Sequence, residues 1–377
     1  MPETAIVWFR RDLRLADNPA LETACRLAER VVAVYVHAPD EEGDWRPGAA
    51  SNWWLHHSLA ALNDSLHQRG GRLLVRRGDS LDELLKLARE TDATQVYWNR
   101  LYEPAIEKRD ARIKLALREA GCTAESFNAA LLLEPWQVLT GQDTPYRVFT
   151  PFWRECRRRL DSLPVPTPPP ARIVPPSAAG SSLELDALEL LPRRNWGAGL
   201  EATWRPGEPA ALERVEAFCG QRLPLYPAGR NRPDLADTSR LSPHLHFGEI
   251  SPRQCLAAVR AALLDRPTDE KAAEEFLREI GWREFAHHLL HHYPHTPEQP
   301  LDERFERFPW DPDPGLLRAW QRGRTGIPIV DAGMRELWKT GWMHNRVRMV
   351  VASFLTKNLL QEWLEGARWF WDTLVDA

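Results

Sequence analysis

The chain predicts a Rossmann-like α/β domain with a parallel sheet, followed by an all-α domain. Three observations carry this. Over the first ~130 residues, short β-branched and aromatic runs alternate with helical periodicity. Residues 161–180 then hold seven prolines and almost no periodicity. Beyond about residue 205 the strand pattern disappears.

The strand runs are 4–9 (TAIVWF), 31–36 (VVAVYV), 72–76 (RLLVR) and 94–98 (TQVYW), with helical patterns near 19–29, 52–69, 81–90 and 104–120 between and after them. Near-continuous apolar strands separated by helices belong to a parallel sheet covered on both faces. The first strand is not followed by GxGxxG, so a dinucleotide held in the usual Rossmann manner is not expected. In the stretch DSLPVPTPPPARIVPPSAAG, proline fixes φ and removes backbone donors, which predicts an extended interdomain connector, stiff in its proline runs. Helical stretches follow near 208–219, 251–264, 269–292, 314–322, 329–339, 344–361 and 366–375. The expected organisation is an α/β domain over 1–135, a connector over 136–204 and a helical domain over 205–377.

Composition narrows the class. With 43% hydrophobic and 27% charged residues, the 377-residue chain is too apolar for a disordered one. No apolar run reaches the ~20 residues a membrane span needs, and the opening MPETAIVWFRRDLR has no secretory h-region. Five scattered cysteines without a CxxC pair predict a reduced, cytoplasmic protein with no zinc site. HHLLHHYPH (287–295) offers histidines at i,i+4, but no acid or cysteine nearby completes a ligand set, so no metal is expected.

The net charge of −4 hides two basic stretches. Residues 321–350 hold six Lys/Arg against Asp331 and Glu336, and residues 147–159 hold five arginines against Glu155. Both carry aromatics, a combination that can meet phosphates and stack on bases, although on charge alone two solvated helix faces are the commoner explanation. Seventeen tryptophans are an excess that could serve a core, stacking platforms or electron relay.

Three clusters draw attention as chemistry. Thr238, Ser239 and Ser242 gather hydroxyls at a turn opening onto a helix, either an anion site or an ordinary N-cap. In MHNRVRM (343–349), a helix would place Asn345, Arg348 and Met349 on one face. REIGWREF (278–285) places Glu279, Trp282 and Arg283 together.

These stretches, with VWFRRDLRLADNPAL (7–21), TPFWR (150–154), TSRLSPHLHFGEISPRQ (238–254), TGIPIVDAGMRELWKTGWMHNRVRMVVASFLTK (325–357) and EWLEGARWFWDTLVDA (362–377), run in order along nearly the whole chain. Together they resemble the photolyase/cryptochrome family, most closely its class I cyclobutane pyrimidine dimer DNA photolyases. The resemblance implies an antenna-type α/β domain and a helical FAD-binding domain. It assigns Tyr226, Thr238, Ser239, Arg240, Leu241, Ser242, Arg283, Asn345, Arg348 and Asp376 to the flavin, with Asn345 beside its reactive nitrogen and Arg348 paired to Asp376. Damaged DNA is the implied partner. Trp282 would stack on the extruded dimer, and Met349 and Asn345 would line its pocket. Glu279 would donate a hydrogen bond from a protonated carboxyl, its pKa raised by burial. Arg230 and Arg346 would meet phosphates. Trp310 and Trp363 resemble two members of the family's electron-relay chain.

Two departures from the family pattern matter. The family continues past the equivalent of Ala377 by roughly 80–100 residues on domain-size grounds, which predicts a C-terminally truncated FAD domain and a third relay tryptophan outside the chain. Ala105 and Ile106 stand where folate-binding members carry an Asn-Glu pair, so a folate antenna is disfavoured, while a deazaflavin, a second flavin or no antenna stays open. The expected activity is light-driven dimer repair by electron transfer from reduced FAD, by a monomer. The rivals are a cryptochrome-type receptor, (6-4) photoproduct repair and an inactive truncated relative. Trp282, Glu279, Met349 and Asn345 favour dimer repair.

Overall fold

In the computed structural model, which describes residues 3–177 and 180–377, five strands form a parallel sheet. They are β1 (Thr4–Phe9), β2 (Arg30–His37), β3 (Leu73–Arg77), β4 (Gln95–Asn99) and β5 (Thr123–Phe127), in the order β3-β2-β1-β4-β5. The register pairs Val7 with Ala33 on one side and with Tyr97 on the other. Alternate side chains of the central strands enter two cores. Ala5, Val7 and Phe9 join Trp54, Leu59 and Leu62, whereas Ile6 and Trp8 join Leu84, Leu87 and Ile113.

The covering helices are α1 (Pro19–Leu27), α2 (Ala49–His67), α3 (Ser80–Thr91) and α4 (Pro104–Glu119). The starts of α1 and α3 follow capping chemistry. The Asn18 side chain accepts from the Leu21 N–H ahead of Pro19, and Asp79 accepts from the Leu81 and Asp82 N–H groups. The fifth strand was not among the four expected from sequence. TAESF has one buried position, Ala124, so the apolar run that marks a strand with both faces buried is missing at this sheet edge.

The remaining helices are α5 (Phe149–Arg157), α6 (Ala198–Thr203), α7 (Glu208–Ala217), α8 (Tyr226–Gly229), α9 (Ser242–His246), α10 (Pro252–Asp265), α11 (Glu270–His292), α12 (Pro314–Gln321), α13 (Pro328–Thr340), α14 (Asn345–Ser353) and α15 (Trp363–Thr373). The helix expected over 344–361 stops earlier: α14 gives way to a π turn over Phe354–Asn358. There the Thr356 hydroxyl donates back to the Ala352 carbonyl, a bond that bends helices. None of these helices is long and apolar enough to cross a membrane.

The proline-rich stretch, whose residues 178 and 179 lie outside the described ones, runs along the α/β layer. The Val31 N–H donates to the Val174 carbonyl and the Ile173 N–H to the Arg69 carbonyl, with Ile173 buried. Just beyond, the Leu183 N–H donates to the Val75 carbonyl of β3, and the Val75 N–H to the Ser182 hydroxyl.

The two layers lock through the loop after β1. Arg14, 1% exposed, donates to the carbonyls of Gly248, Asp17 and Ala129. Leu15 and Ala16 N–H groups donate to Glu208, and Asp17 accepts from Ser251 while pairing with Arg253 at 2.8 Å. Trp54 of α2 and the Gly207 N–H both donate to Glu249. Gly248 sits at φ +64, and a Cβ there would overlap the backbone of Arg11 and Asp12. A side chain at this junction forces the layers apart. Gly248→Ala is therefore expected to destabilise the fold by roughly 2 kcal/mol or more. The check is thermal unfolding of the variant against the unchanged protein, with Gly326→Ala, where a Cβ meets nothing within 4 Å, as the control for backbone strain alone.

Candidate functional site

A cleft of about 1090 Å³ opens between α8, the turn before α9, α11 and α14. This is at the upper end of small-molecule and cofactor sites, which run to roughly 1,000 Å³. Every residue that the family resemblance implies for flavin, lesion or DNA lines it, from Tyr226 and Arg230 to Met349 and Asp376. Trp310 and Trp363 do not. Their segments meet elsewhere, where the Asp311 N–H donates to the Leu360 carbonyl and the Gln361 amide to the Asp311 carbonyl.

Local chemistry sets each wall. The Thr238–Ser242 turn is tight: Arg240 adopts φ +51, the Leu241 N–H donates to the Ser239 hydroxyl at 3.4 Å, and Leu241 is buried as an anchor. The Arg240 guanidinium lies 4.5 Å from the Trp342 ring centroid. Helix α14 begins directly after Gly341-Trp342-Met343, with the His344 side chain capping the Arg346 N–H, which sets Asn345 at the first turn facing the cleft.

Arg348 and Asp376 form a two-pronged ion pair at 3.0 and 2.8 Å, with the Asp376 side chain 1% exposed and Arg348 also donating to the Met343 carbonyl. A planar guanidinium fixes a carboxylate in one orientation this way. Tyr226 is buried under the Arg230 guanidinium, 5.3 Å from its ring centroid.

At two residues the arrangement differs from the expectation. Glu279 was expected to be a buried, protonated donor. Its side chain is 28% exposed and accepts a hydrogen bond from Arg230, because α11 places the carboxylate one turn beyond Glu275 against the guanidinium at the end of α8. Arg230, expected to face phosphate, is thereby turned inward. Arg283 donates to the carbonyls of Ala130 and Leu245, so it braces α11 to both layers as well as lining the cleft. Trp282 and Met349 are half-exposed at the mouth, and Arg346 donates to Asn231 at 2.7 Å.

Sequence reasoning missed the floor. Arg11, from the loop after β1, pairs with Glu103 at the head of α4, and His246 and His287 lie beside them. Burial opposes ionisation of Glu103, yet Arg11, His287 and His246 hold its carboxyl down to about 2. Burial and Arg11 push His246 down to about 3, and burial and Arg283 push His287 down to about 4, so both imidazoles are neutral near pH 7. Arg11 and His246 lie inside motifs quoted above, but nothing in the spacing marks them as neighbours. The other histidines of HHLLHH go separate ways. His291 pairs with Glu107 at 3.0 Å, His292 meets the Pro135 carbonyl, and His288 is buried against Phe152.

Behind Arg283, the Glu284 side chain accepts from the Leu132 and Leu133 N–H groups. Burial pushes its carboxyl up to about 7 despite Arg283. A folded-state value above the unfolded one means the folded chain binds the extra proton. Its stabilising contribution is full below about pH 4.5 and is lost as pH rises through about 7. Glu284→Gln should flatten the fall in melting temperature between those values, and parallel melting curves for the two proteins across that range would refute the assignment.

Comparison with known proteins places these features in context. The model of the DNA photolyase family matches residues 5–171, and that of the FAD binding domain of DNA photolyase matches residues 276–377. A deoxyribodipyrimidine photo-lyase of Agrobacterium fabrum is 45% identical over 99% of this chain and 77% of its own length. Cryptochrome-1 of Arabidopsis thaliana is 41% identical over 99% of this chain and 56% of its own length. The crystal structure of a bacterial class III photolyase from Agrobacterium tumefaciens superposes with a TM-score of 0.94 at 44% identity, covering all of this chain and 77% of that one.

Proposed function

Because this chain belongs to the photolyase/cryptochrome family, we propose that it repairs cyclobutane pyrimidine dimers in DNA, driven by light and using FAD. The observation that supports this most directly is the joint lining of one cleft by Tyr226, Ser239, Asn345 and Arg348 with Trp282 and Glu279. The first four make a cofactor seat, and the last two make a planar, polar surface at its mouth.

Thr238, Ser239, Arg240, Leu241 and Ser242 would hold the pyrophosphate, since a turn of hydroxyls and backbone N–H groups suits an anion. Asn345 can donate or accept with its amide, and so tolerates either redox form of a flavin. The Arg348–Asp376 pair presents a fixed charge pattern along the same wall. The chemistry that reduced FAD supplies when bound is transfer of an electron to the dimer on illumination and its recovery after the cyclobutane ring opens, with no net redox change.

This chain's own residues supply orientation and water exclusion. Trp282 offers an indole face on which an extruded pyrimidine pair can stack; the flipping logic is that known for photolyases as a group. Arg346 and Arg278 at the rim can meet the phosphates on either side, and Arg230 can join them once it leaves Glu279. Glu279, released from Arg230, is then placed to hydrogen-bond the base edge.

A cryptochrome-type receptor is the rival reading, supported by the likeness to the Arabidopsis protein. Asn345 rather than an acid on the flavin wall, together with Trp282, Glu279 and Met349 at the mouth, favours repair. The Agrobacterium structure is described as class III, where the sequence resemblance pointed to class I, and the proposal depends on neither subdivision. The cofactor proposed is FAD, with the type of any second antenna chromophore left open.

The test is FAD-loaded protein with an oligonucleotide carrying one thymine dimer. Blue light is expected to restore the thymines while dark samples stay unrepaired, and equal repair in the dark would refute the mechanism. Trp282→Ala should weaken binding to the damaged strand by about 1–3 kcal/mol, on stacking magnitudes. Arg348→Ala should strip FAD from the protein and destabilise it by roughly 3 kcal/mol, because Asp376 is left buried and unpaired. Both losses are read from flavin absorbance after gel filtration and from thermal melts.

A further inference from the structure

The half-exposed indole of Trp282 is not a free-standing side chain. One of its faces lies on Phe149, with ring centroids 3.8 Å apart and planes within 7°. Phe149, only 5% exposed, continues the column: its ring is nearly parallel to Trp153, at 6.4 Å and 10°, and edge-on to Phe285 at 5.9 Å. The Arg278 guanidinium sits 5.6 Å from the same Phe149 ring. The column is held by close approach of α5 and α11. Gly281, next to Trp282 in sequence, faces Trp153 so tightly that a Cβ would overlap the indole.

We infer that Phe149 is a positioning residue for Trp282. It fixes the indole plane so that a flat heteroaromatic ligand, here an extruded pyrimidine pair, meets an immobile stacking platform. The inference rests on the proposed repair reading. A half-exposed tryptophan has two side-chain torsions to lose when a ligand stacks on it, and ordering such side chains weakens binding. Phe149 holds the ring before the ligand arrives, and a parallel aromatic pair adds stabilisation beyond the area it buries. The charge of Arg278 near the Phe149 ring strengthens the column by attraction to the ring face. Phe149 itself does not line the cleft, so its effect on a ligand runs through Trp282.

The test measures affinity of the FAD-loaded full chain for a thymine-dimer oligonucleotide and for its undamaged twin. The proteins are the unchanged chain and the variants Phe149→Leu, Phe149→Met, Phe149→Tyr and Trp282→Ala. Leucine and methionine conserve apolar volume but remove the ring. Both are expected to lower the damaged-to-undamaged preference by about three- to tenfold, the range set by one aromatic pair. Flavin content and melting temperature should change little, and tyrosine should restore the preference to within about twofold of the unchanged protein, since it keeps the ring. Melting both variants lets a folding defect confined to one be set aside, and the tyrosine variant alone overturns the inference if it loses preference while its stability is intact. Preference retained by leucine and methionine but lost in Trp282→Ala overturns the positioning role and leaves the repair reading in place. Preference retained even in Trp282→Ala sinks the lesion-binding reading of the mouth, and the inference with it.

Discussion

The cleft exists because a buried arginine cannot be left without acceptors. Arg14 carries its charge almost wholly out of solvent and is satisfied where four carbonyls converge, those of Ala16 and Asp17 in its own loop and those of Ala129 and Gly248 in two distant segments. Burial alone lowers its pKa, and the acidic groups around it, Asp17 and Asp12 first, offset that. A buried cation of this kind tolerates one geometry, since losing an acceptor leaves a donor stranded in low dielectric. The loop from Arg10 to Asn18 is therefore held against the helical layer, and Arg11 rides with it onto the cleft floor, where it meets Glu103. The polar floor of a helical cavity is thus supplied by the α/β layer, as a consequence of how the two layers dock.

Charge is distributed unevenly around this cavity. The chain as a whole carries −4. Within the cleft the acids are taken up by arginines: Asp376 by Arg348, Glu279 and Glu275 by Arg230, Glu103 by Arg11. Rim arginines rest instead on neutral groups, Arg346 on an amide and a thioether, and Arg278 against an aromatic ring. Their field faces outward uncancelled by a paired carboxylate, so a polyanion can be attracted to the mouth of a molecule that is acidic overall. The neutral imidazoles of His246 and His287 add no charge inside and leave the floor to a single ion pair.

Much of this was legible from sequence, unevenly. The alternation of β1 through β4 with helices could be read because those strands are buried on both faces and so are continuously apolar. β5 could not, because an edge strand with one buried residue loses that pattern. The cleft-lining residues were legible through the family resemblance, whose motifs are dense and local: Thr238 to Ser242 lie in one turn, Asn345 to Met349 in one helix. Relations between distant segments were not. Nothing in the spacing brings Arg230 onto Glu279, 49 positions away, and the expected protonated carboxyl was an inference about burial that local sequence cannot supply. Likewise the 133-residue separation of Phe149 and Trp282 hides a contact that only the packing of α5 on α11 creates. Sequence reports what each element must bury; which polar groups meet is decided when the elements dock.

The segment that follows the prolines has one more effect. By hydrogen-bonding both the N–H and the carbonyl of Val75, it occupies the outer side of β3, which would otherwise offer a row of unsatisfied groups to any extended chain. At the opposite rim, β5 is short and exposes Thr123 and Glu125. One border of the sheet is sealed by its own polypeptide and the other is guarded by polar side chains. Both borders of the sheet are thereby made poor templates for strand-to-strand pairing with another chain.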